Sequence, residues 1–321
     1  MNIVPSDLTL RRAQLLGLQG QHWLECLDEV VRTTLDKFGL TFIKTLHGGS
    51  ESYLALTQRT DGARCVVKVM MPNDHGMTAE LAALQAAKGR GYVELIDANP
   101  EQDVLIIEEL GAPIASSALT TQQQLQHITH ALQLSWQAEI EPSALVHGAK
   151  KADWLYHHIQ HTPTRVTGYV EKVLIHTALD HIDLRRSLWR EDAFVLVHGD
   201  AHEHNTLAIR KAKGQTEPQI EQQTEPTSYK LVDPDGLFFE AAYDLGILLR
   251  NWIDAYRIAQ PAGALTERAT WLAQQTQVSP QAMVSWGFVE IVSTGIHLLE
   301  LGYADEGKDY LDLGQALLPA L

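Results

Sequence analysis

Cysteine is nearly absent from the 321-residue chain: it has two, Cys26 and Cys65. That excludes a disulfide framework and a cysteine-built zinc site and suits a reducing compartment, so both thiols are expected to be buried and structural. No uncharged apolar run reaches the roughly 18 residues that span a bilayer, and Met1–Asp7 lacks the basic and apolar regions of a secretion signal. A cytoplasmic protein without a membrane partner is expected. Positive charge is also short, with 25 Lys and Arg against 40 Asp and Glu. The resulting net charge of -15 repels nucleic acid and favours cationic ligands. Neither G-x-G-x-x-G nor G-x-x-x-x-G-K-[ST] occurs, which excludes the dinucleotide fingerprint and the Walker loop.

With 45% apolar and 20% charged residues the chain can bury a large core, and its length favours two domains, in a monomer or a homodimer. Leu24, Leu27, Val31 and Leu35 recur at helical spacing before Gly39, a residue suited to a left-handed helix end. Short β-branched segments follow at Leu40–Leu46, Tyr53–Arg59, Arg64–Met71, Val93–Asp97 and Asp103–Leu110, separated by turn signals. One helix, Thr78–Lys88 with Thr78 as a cap, interrupts them. The pattern predicts an α+β chain: residues 1–112 form an antiparallel five-stranded sheet with one helix and a helical extension, and residues 113–321 are mainly helical with a small strand pair. Lys211–Ser228 is polar, with Gln215–Pro218 recurring as Gln223–Pro226, and reads as a mobile loop enlarged by duplication.

Polar groups emerge where apolar strands end. His198-Gly199-Asp200-Ala201-His202-Glu203-His204-Asn205 follows Phe194–Val197, and Asp233 follows Leu231-Val232. Phosphoryl transfer needs a carboxylate for the acceptor proton, oxygen ligands for magnesium and a cation for the nucleotide phosphates. Asp200 is the candidate base, Asn205 and Asp233 the candidate Mg2+ ligands. Lys68 stands in the apolar strand Arg64–Met70, where a lone ammonium is costly unless it faces a cleft or a partner, and Glu80 on the next helix is that partner. Strand alternation sets Val66 beside Lys68 as a roof for the base. Gly48-Gly49-Ser50 can bring backbone amides to phosphate, and Glu108–Leu110 forms the hinge for the adenine edge.

In this order, Gly48-Gly49, Lys68, Glu80, Glu108–Leu110, His198-x-Asp200-x4-Asn205 and Asp233 resemble the aminoglycoside-phosphotransferase and choline-kinase branch of the protein-kinase-like fold. Gly91–Glu101, Asp233-Pro234-Asp235-Gly236, Ala242–Leu245 and Leu248–Asn251 make the chain more similar, from Gly49 to about Trp252, to the aminoglycoside 6-phosphotransferase/hydroxyurea kinase group. The resemblance implies a two-lobed antibiotic-resistance kinase using ATP or GTP with magnesium, and a hydroxylated small-molecule acceptor such as streptomycin or hydroxyurea. It also implies His198 and Asp244 as supports of the catalytic loop. Glu240-Ala241 replaces the Asp-Pro pair common in that group, which together with the Lys211–Ser228 insertion bears on acceptor contacts. Asp254, Glu290, Glu300, Asp305 and Glu306 are candidate acceptor carboxylates.

Three other readings stay open. A metabolic kinase of choline, homoserine or methylthioribose type fits the same constellation. A zinc or manganese hydrolase built on His198, Asp200, His202 and His204 leaves Lys68 and Glu80 unexplained. A nucleotide-binding pseudokinase would act as an interaction module.

Overall fold

The computed structural model describes residues 3–49, 51–72, 77–164, 166, 170–210, 228–251 and 260–321. Ser50, Trp252, Asp254 and the 211–227 part of the expected loop lie outside the described residues.

Helix α1 (Asp7–Leu15) starts at Ser6, whose hydroxyl accepts the Thr9 N–H. Helix α2 (Leu18–Phe38) buries Trp23, Leu27, Val31 and Leu35, one residue per four, and ends at Gly39 in the left-handed conformation with φ 62°. Cys26 lies off that stripe and is half-exposed, so only Cys65 is buried as expected. The sheet follows: β1 (Thr41–Leu46), β2 (Ser52–Gln58), β3 (Arg64–Met70), then α3 (Thr78–Ala87), β4 (Leu95–Asn99) and β5 (Val104–Glu108). All pairings are antiparallel, in the order β1-β2-β3-β5-β4. Alternation along β3 sends Cys65, Val67 and Val69 to the α2 side and Val66, with Lys68, to the other face. The helical extension therefore covers the outer face of the sheet.

Two local expectations are corrected. Helix α3 begins after Met77 and no side chain caps it, so Thr78 is its first helical residue and not its cap. The fourth strand starts at Leu95 rather than Val93 because the preceding segment pairs elsewhere: the Val93 N–H donates to the Leu231 carbonyl and the Leu231 N–H to the Gly91 carbonyl, each at 2.8 Å.

The second lobe contains α4 (Thr121–Ser135), β6 (Val146–His147), α5 (Gly148–His161), α6 (Lys172–Leu188), β7 (Val195–Val197), β8 (Thr206–Ala208), β9 (Tyr229–Leu231), β10 (Leu237–Phe239), α7 (Ala242–Arg250), α8 (Pro261–Thr276), α9 (Pro280–Glu300) and α10 (Ala304–Leu317). A box in which Thr120 and Gln123 cap each other opens α4. The short strands make two small sheets, β8-β9 and β6-β10-β7, where one pair was expected. Two- and three-residue strands are too short to show alternation. Helix α9 has the length and apolarity of a membrane span, yet 78% of its apolar window is buried inside the protein. Its Trp286 packs on Phe239 and Tyr243 at ring separations of 5.2 and 5.3 Å.

Candidate active site

The first lobe supplies one buried cation. Lys68, 4% exposed, donates to both oxygens of Glu80 at 2.7 Å and to Asp233 Oδ1 at 2.8 Å. Burial alone would lower the Lys68 pKa, but the adjacent carboxylates of Asp233 and Glu80 outweigh it and push the ammonium up. Asp233 is brought in from the second lobe on a backbone with φ 60°, followed by a glycine turn pressed against α3. Only glycine fits that turn, since a Cβ on Gly236 would lie 2.2 Å from the Ala79 carbonyl oxygen.

The loop after β7 carries Asp200. Its scaffold is Asp244 at the start of α7, fully buried, which accepts the N–H groups of His198 at 3.1 Å and Gly199 at 3.0 Å and the indole N–H of Trp136 at 2.9 Å. Burial pushes the Asp244 carboxyl up, and these donors hold it in place. Both ring nitrogens of His198 are engaged, Nε2 with the Val232 carbonyl at 2.9 Å and Nδ1 with the Asp200 N–H at 3.2 Å. Gly199 has φ 90°, and a Cβ there would stand 2.7 Å from Asp235 Oδ2. The Asn205 amide donates to the Asp200 carbonyl at 3.2 Å, and Val232 N–H to the Asn205 carbonyl at 2.9 Å, so Asn205 lies beside the strand end bearing Asp233.

Asp200 is 42% exposed at its side chain, with Arg250 Nη2 at 2.8 Å from Oδ1 and His202 Nε2 at 3.5 Å from Oδ2. Burial would raise this carboxyl, but His202 and the Arg250 charge reverse the sign and hold it below the usual carboxylate range. Lys151 reaches Asp235 at 3.4 Å and lies over the Trp154 ring at 5.4 Å. Burial would lower its pKa, yet Asp235, Glu290 and Asp200 keep it raised.

The structure thus brings together Lys68, Glu80 and Asp233, and separately Asp200, His198, Asp244 and Asn205. Val66 shares the cleft face of β3 with Lys68, its register partner being Ile107. Gly49 folds tightly over β2: a Cβ there would sit 2.7 Å from Ser52 Oγ and 3.4 Å from Leu54, the partner of Lys68 in β2. The Gly49 carbonyl also accepts the Thr9 hydroxyl of α1 at 2.9 Å, a contact the sequence did not suggest. Gly48 precedes it in the open loop, where a Cβ would meet nothing within 4 Å. At the hinge, the Glu108 N–H already bonds the Glu94 carbonyl at 3.0 Å, and the Glu108 carboxylate takes Lys230. The Leu110 N–H has no partner among the described residues.

The acceptor carboxylates fare differently. Glu290 is buried and pairs with Tyr243 and Arg250, so it is not available to a ligand. Glu240 is likewise internal, bound by Arg185 Nε at 3.0 Å and the Trp286 indole at 2.6 Å, so at this departure from the group pattern the carboxylate is engaged in packing α6 and α9 together. Glu300, Asp305 and Glu306 are exposed around the α9–α10 turn. Sequence reasoning overlooked Arg250, Lys151 and Asp235 as neighbours of Asp200. The trace of Arg250 and Asp235 lay in the Leu248–Asn251 and Asp233–Gly236 patterns, which name residues without naming partners, whereas Lys151 belongs to neither. The hydrolase alternative finds no support: among the described residues no group of three or more His, Cys, Asp or Glu is placed to hold a metal, and the His198 nitrogens are both committed.

Comparison with known proteins agrees with this geometry. The family profile "Aminoglycoside/hydroxyurea antibiotic resistance kinase" matches residues 43–302. Streptomycin 6-kinase of Streptomyces glaucescens is 22% identical over 98% of this chain and 96% of its own. The fold is similar to choline kinase LicA of Streptococcus pneumoniae, with a TM-score of 0.58 and 15% identity over 91% of this chain and 99% of that one. It is also similar to amicoumacin kinase hAmiN in complex with AMP-PNP, Ca2+ and Ami, with a TM-score of 0.53 and 14% identity over 90% and 92%. The chain belongs to the aminoglycoside/hydroxyurea antibiotic resistance kinase family, and is a phosphotransferase with an alcohol group as acceptor.

Proposed function

We propose that the protein transfers the γ-phosphate of ATP or GTP to a hydroxyl of a streptomycin-like aminocyclitol, with residues 1–112 binding the nucleotide and residues 113–321 the acceptor. The observation that carries this reading is the meeting of Lys68 and Asp233 across the two lobes, next to a loop that presents Asp200 to solvent. Lys68 would hold the nucleotide phosphates beneath Gly48, Gly49 and Ser50, with Glu80 fixing its ammonium. Val66 and the backbone of Glu108–Leu110 would receive the base, leaving Leu110 N–H as the donor.

The oxygen donors fit Mg2+. Asn205 uses its amide N–H on the Asp200 carbonyl and keeps its amide oxygen, while Asp233 gives Oδ1 to Lys68 and keeps Oδ2. Bound there, magnesium would neutralise charge on the nucleotide phosphates. Asp200 would take the acceptor hydroxyl proton as the acceptor oxygen bonds the γ-phosphorus and the bond from phosphorus to the β-phosphate oxygen breaks, releasing nucleoside diphosphate. An ionised, weakly basic Asp200 suits a loose transition state, in which the proton leaves late.

Acceptor identity is tested by incubating the purified protein with Mg-ATP or Mg-GTP and streptomycin, related aminocyclitols, hydroxyurea and choline, and scoring phosphorylated product by mass. Phosphorylation of the aminocyclitols is expected, with an acceptor KM that rises with salt because attraction to a -15 protein is screened over about 10 Å at 0.1 M. Turnover of a neutral alcohol alone would overturn the acceptor assignment and leave phosphoryl transfer standing.

A further inference from the structure

Glu290 is a buried charge to which phosphoryl transfer, as laid out above, gives no task. It sits within α9, a mainly apolar helix, and is 5% exposed. A carboxylate in such a place is tolerated only when both oxygens are matched. One accepts the hydroxyl of Tyr243, itself fully buried and held protonated by its burial. The other faces Arg250 Nη1 at 3.5 Å. The far side of the same guanidinium donates from Nη2 to Asp200 Oδ1 at 2.8 Å, while Nε and Nη2 also reach Asn251 Oδ1 at 3.3 and 3.2 Å. Asn251 in turn donates to the Ala201 carbonyl at 3.1 Å, next to Asp200 in the chain.

We propose that Arg250, aimed by Glu290 and Tyr243, is a positioning residue for Asp200: it holds Oδ1 and so turns Oδ2 toward the acceptor hydroxyl. The inference rests on Asp200 being the base. A carboxylate on a loop has a broad terminal torsion, and rotation about it exchanges the two oxygens and shifts the accepting lone pair. A planar guanidinium fixed on its other edge restrains that rotation from the Oδ1 side, while His202 Nε2 lies 3.5 Å from Oδ2. Lysine cannot do the same, because a point charge does not bridge two carboxylates in a fixed plane.

The test compares full-length Arg250→Lys, Arg250→Ala, Glu290→Gln, Asp200→Asn and the Asp200→Asn/Arg250→Ala double variant, reading kcat, acceptor KM, nucleotide affinity and melting temperature with whichever acceptor the protein phosphorylates. Arg250→Lys and Arg250→Ala are expected to lose kcat by on the order of 10–10²-fold with nucleotide affinity unchanged, since a misplacement of about 1 Å is enough for such a loss. Glu290→Gln should fall between them and the parent. Added methylguanidine should restore part of the Arg250→Ala rate, which a purely structural role would not allow. The double variant should be no slower than Asp200→Asn alone. A double variant slower by the full Arg250→Ala factor would overturn the inference, placing the guanidinium on the phosphoryl group instead. So would Arg250 variants with parental kcat beside an inactive Asp200→Asn. Parental turnover in Asp200→Asn would strike the base assignment itself, and is thereby distinguished from failure of the positioning role.

Discussion

Lys68 and Asp233 lie 165 positions apart in the chain and 2.8 Å apart in space. The same ammonium holds Glu80, which is 7% exposed, so Lys68→Met would leave a buried carboxylate without a counter-charge at a cost of about 3–5 kcal/mol. Chemical denaturation should register that loss, together with weaker nucleotide binding. Lys68→Met/Glu80→Leu should regain most of the stability, because apolar replacement of a buried pair is close to neutral, and regain none of the nucleotide affinity.

Asp200 and Asp233 should separate in their effects. Asp200→Asn is expected to lower turnover by on the order of 10²–10⁴ while leaving nucleotide affinity intact. Asp233→Ala should instead abolish the magnesium dependence of nucleotide binding, measured by titration with a fluorescent ATP analogue with and without the metal.

Stability should fall on the acid side of neutrality. Burial lowers the pKa of His158, which contacts Thr162 and the Ser293 carbonyl and faces His297, and of His181, bonded to Ser285. With both folded values below about 6.5, the unfolded chain takes up protons first as pH drops through that value, so unfolding is favoured from there downward. Melting temperatures between pH 7.5 and 5 should decline, and His158→Asn/His181→Asn should decline less steeply.

The Thr9 hydroxyl bonds the Gly49 carbonyl at 2.9 Å and so clamps the glycine turn from α1. Thr9→Val removes about 1 kcal/mol of restraint. Nucleotide KM should rise by up to roughly fivefold with kcat unchanged, a split visible in steady-state kinetics.

Much of this arrangement was legible because it is punctuation. Lys68 breaks an apolar strand, Asp200 and Asp233 follow apolar strands, and Gly39 ends an apolar helical stripe. Period-2 alternation also fixed which face of β3 carries Val66 and Lys68. Arg250 gave no comparable signal: a basic residue in the last turn of a helix is what the helix dipole favours in any case. Glu290 read as a ligand carboxylate because its partners Tyr243 and Arg250 are supplied by α7, and that helix packing is not written in the local pattern. The strand boundary at Val93 failed for the same reason, its amide being taken by β9 of the other lobe.

That last pairing ties the two lobes through their backbones. Val93 is bonded to Leu231, and Gly111 and Ala112 exchange bonds with Ala208, so two main-chain ties between the lobes fall on the β8-β9 ribbon. Side chains add to them, Lys68 holding Asp233 and Lys230 holding Glu108. Main-chain bonds survive a change of side chain, so a substitution at Lys68 or Lys230 would slacken the cleft without severing the ribbon that joins its two walls.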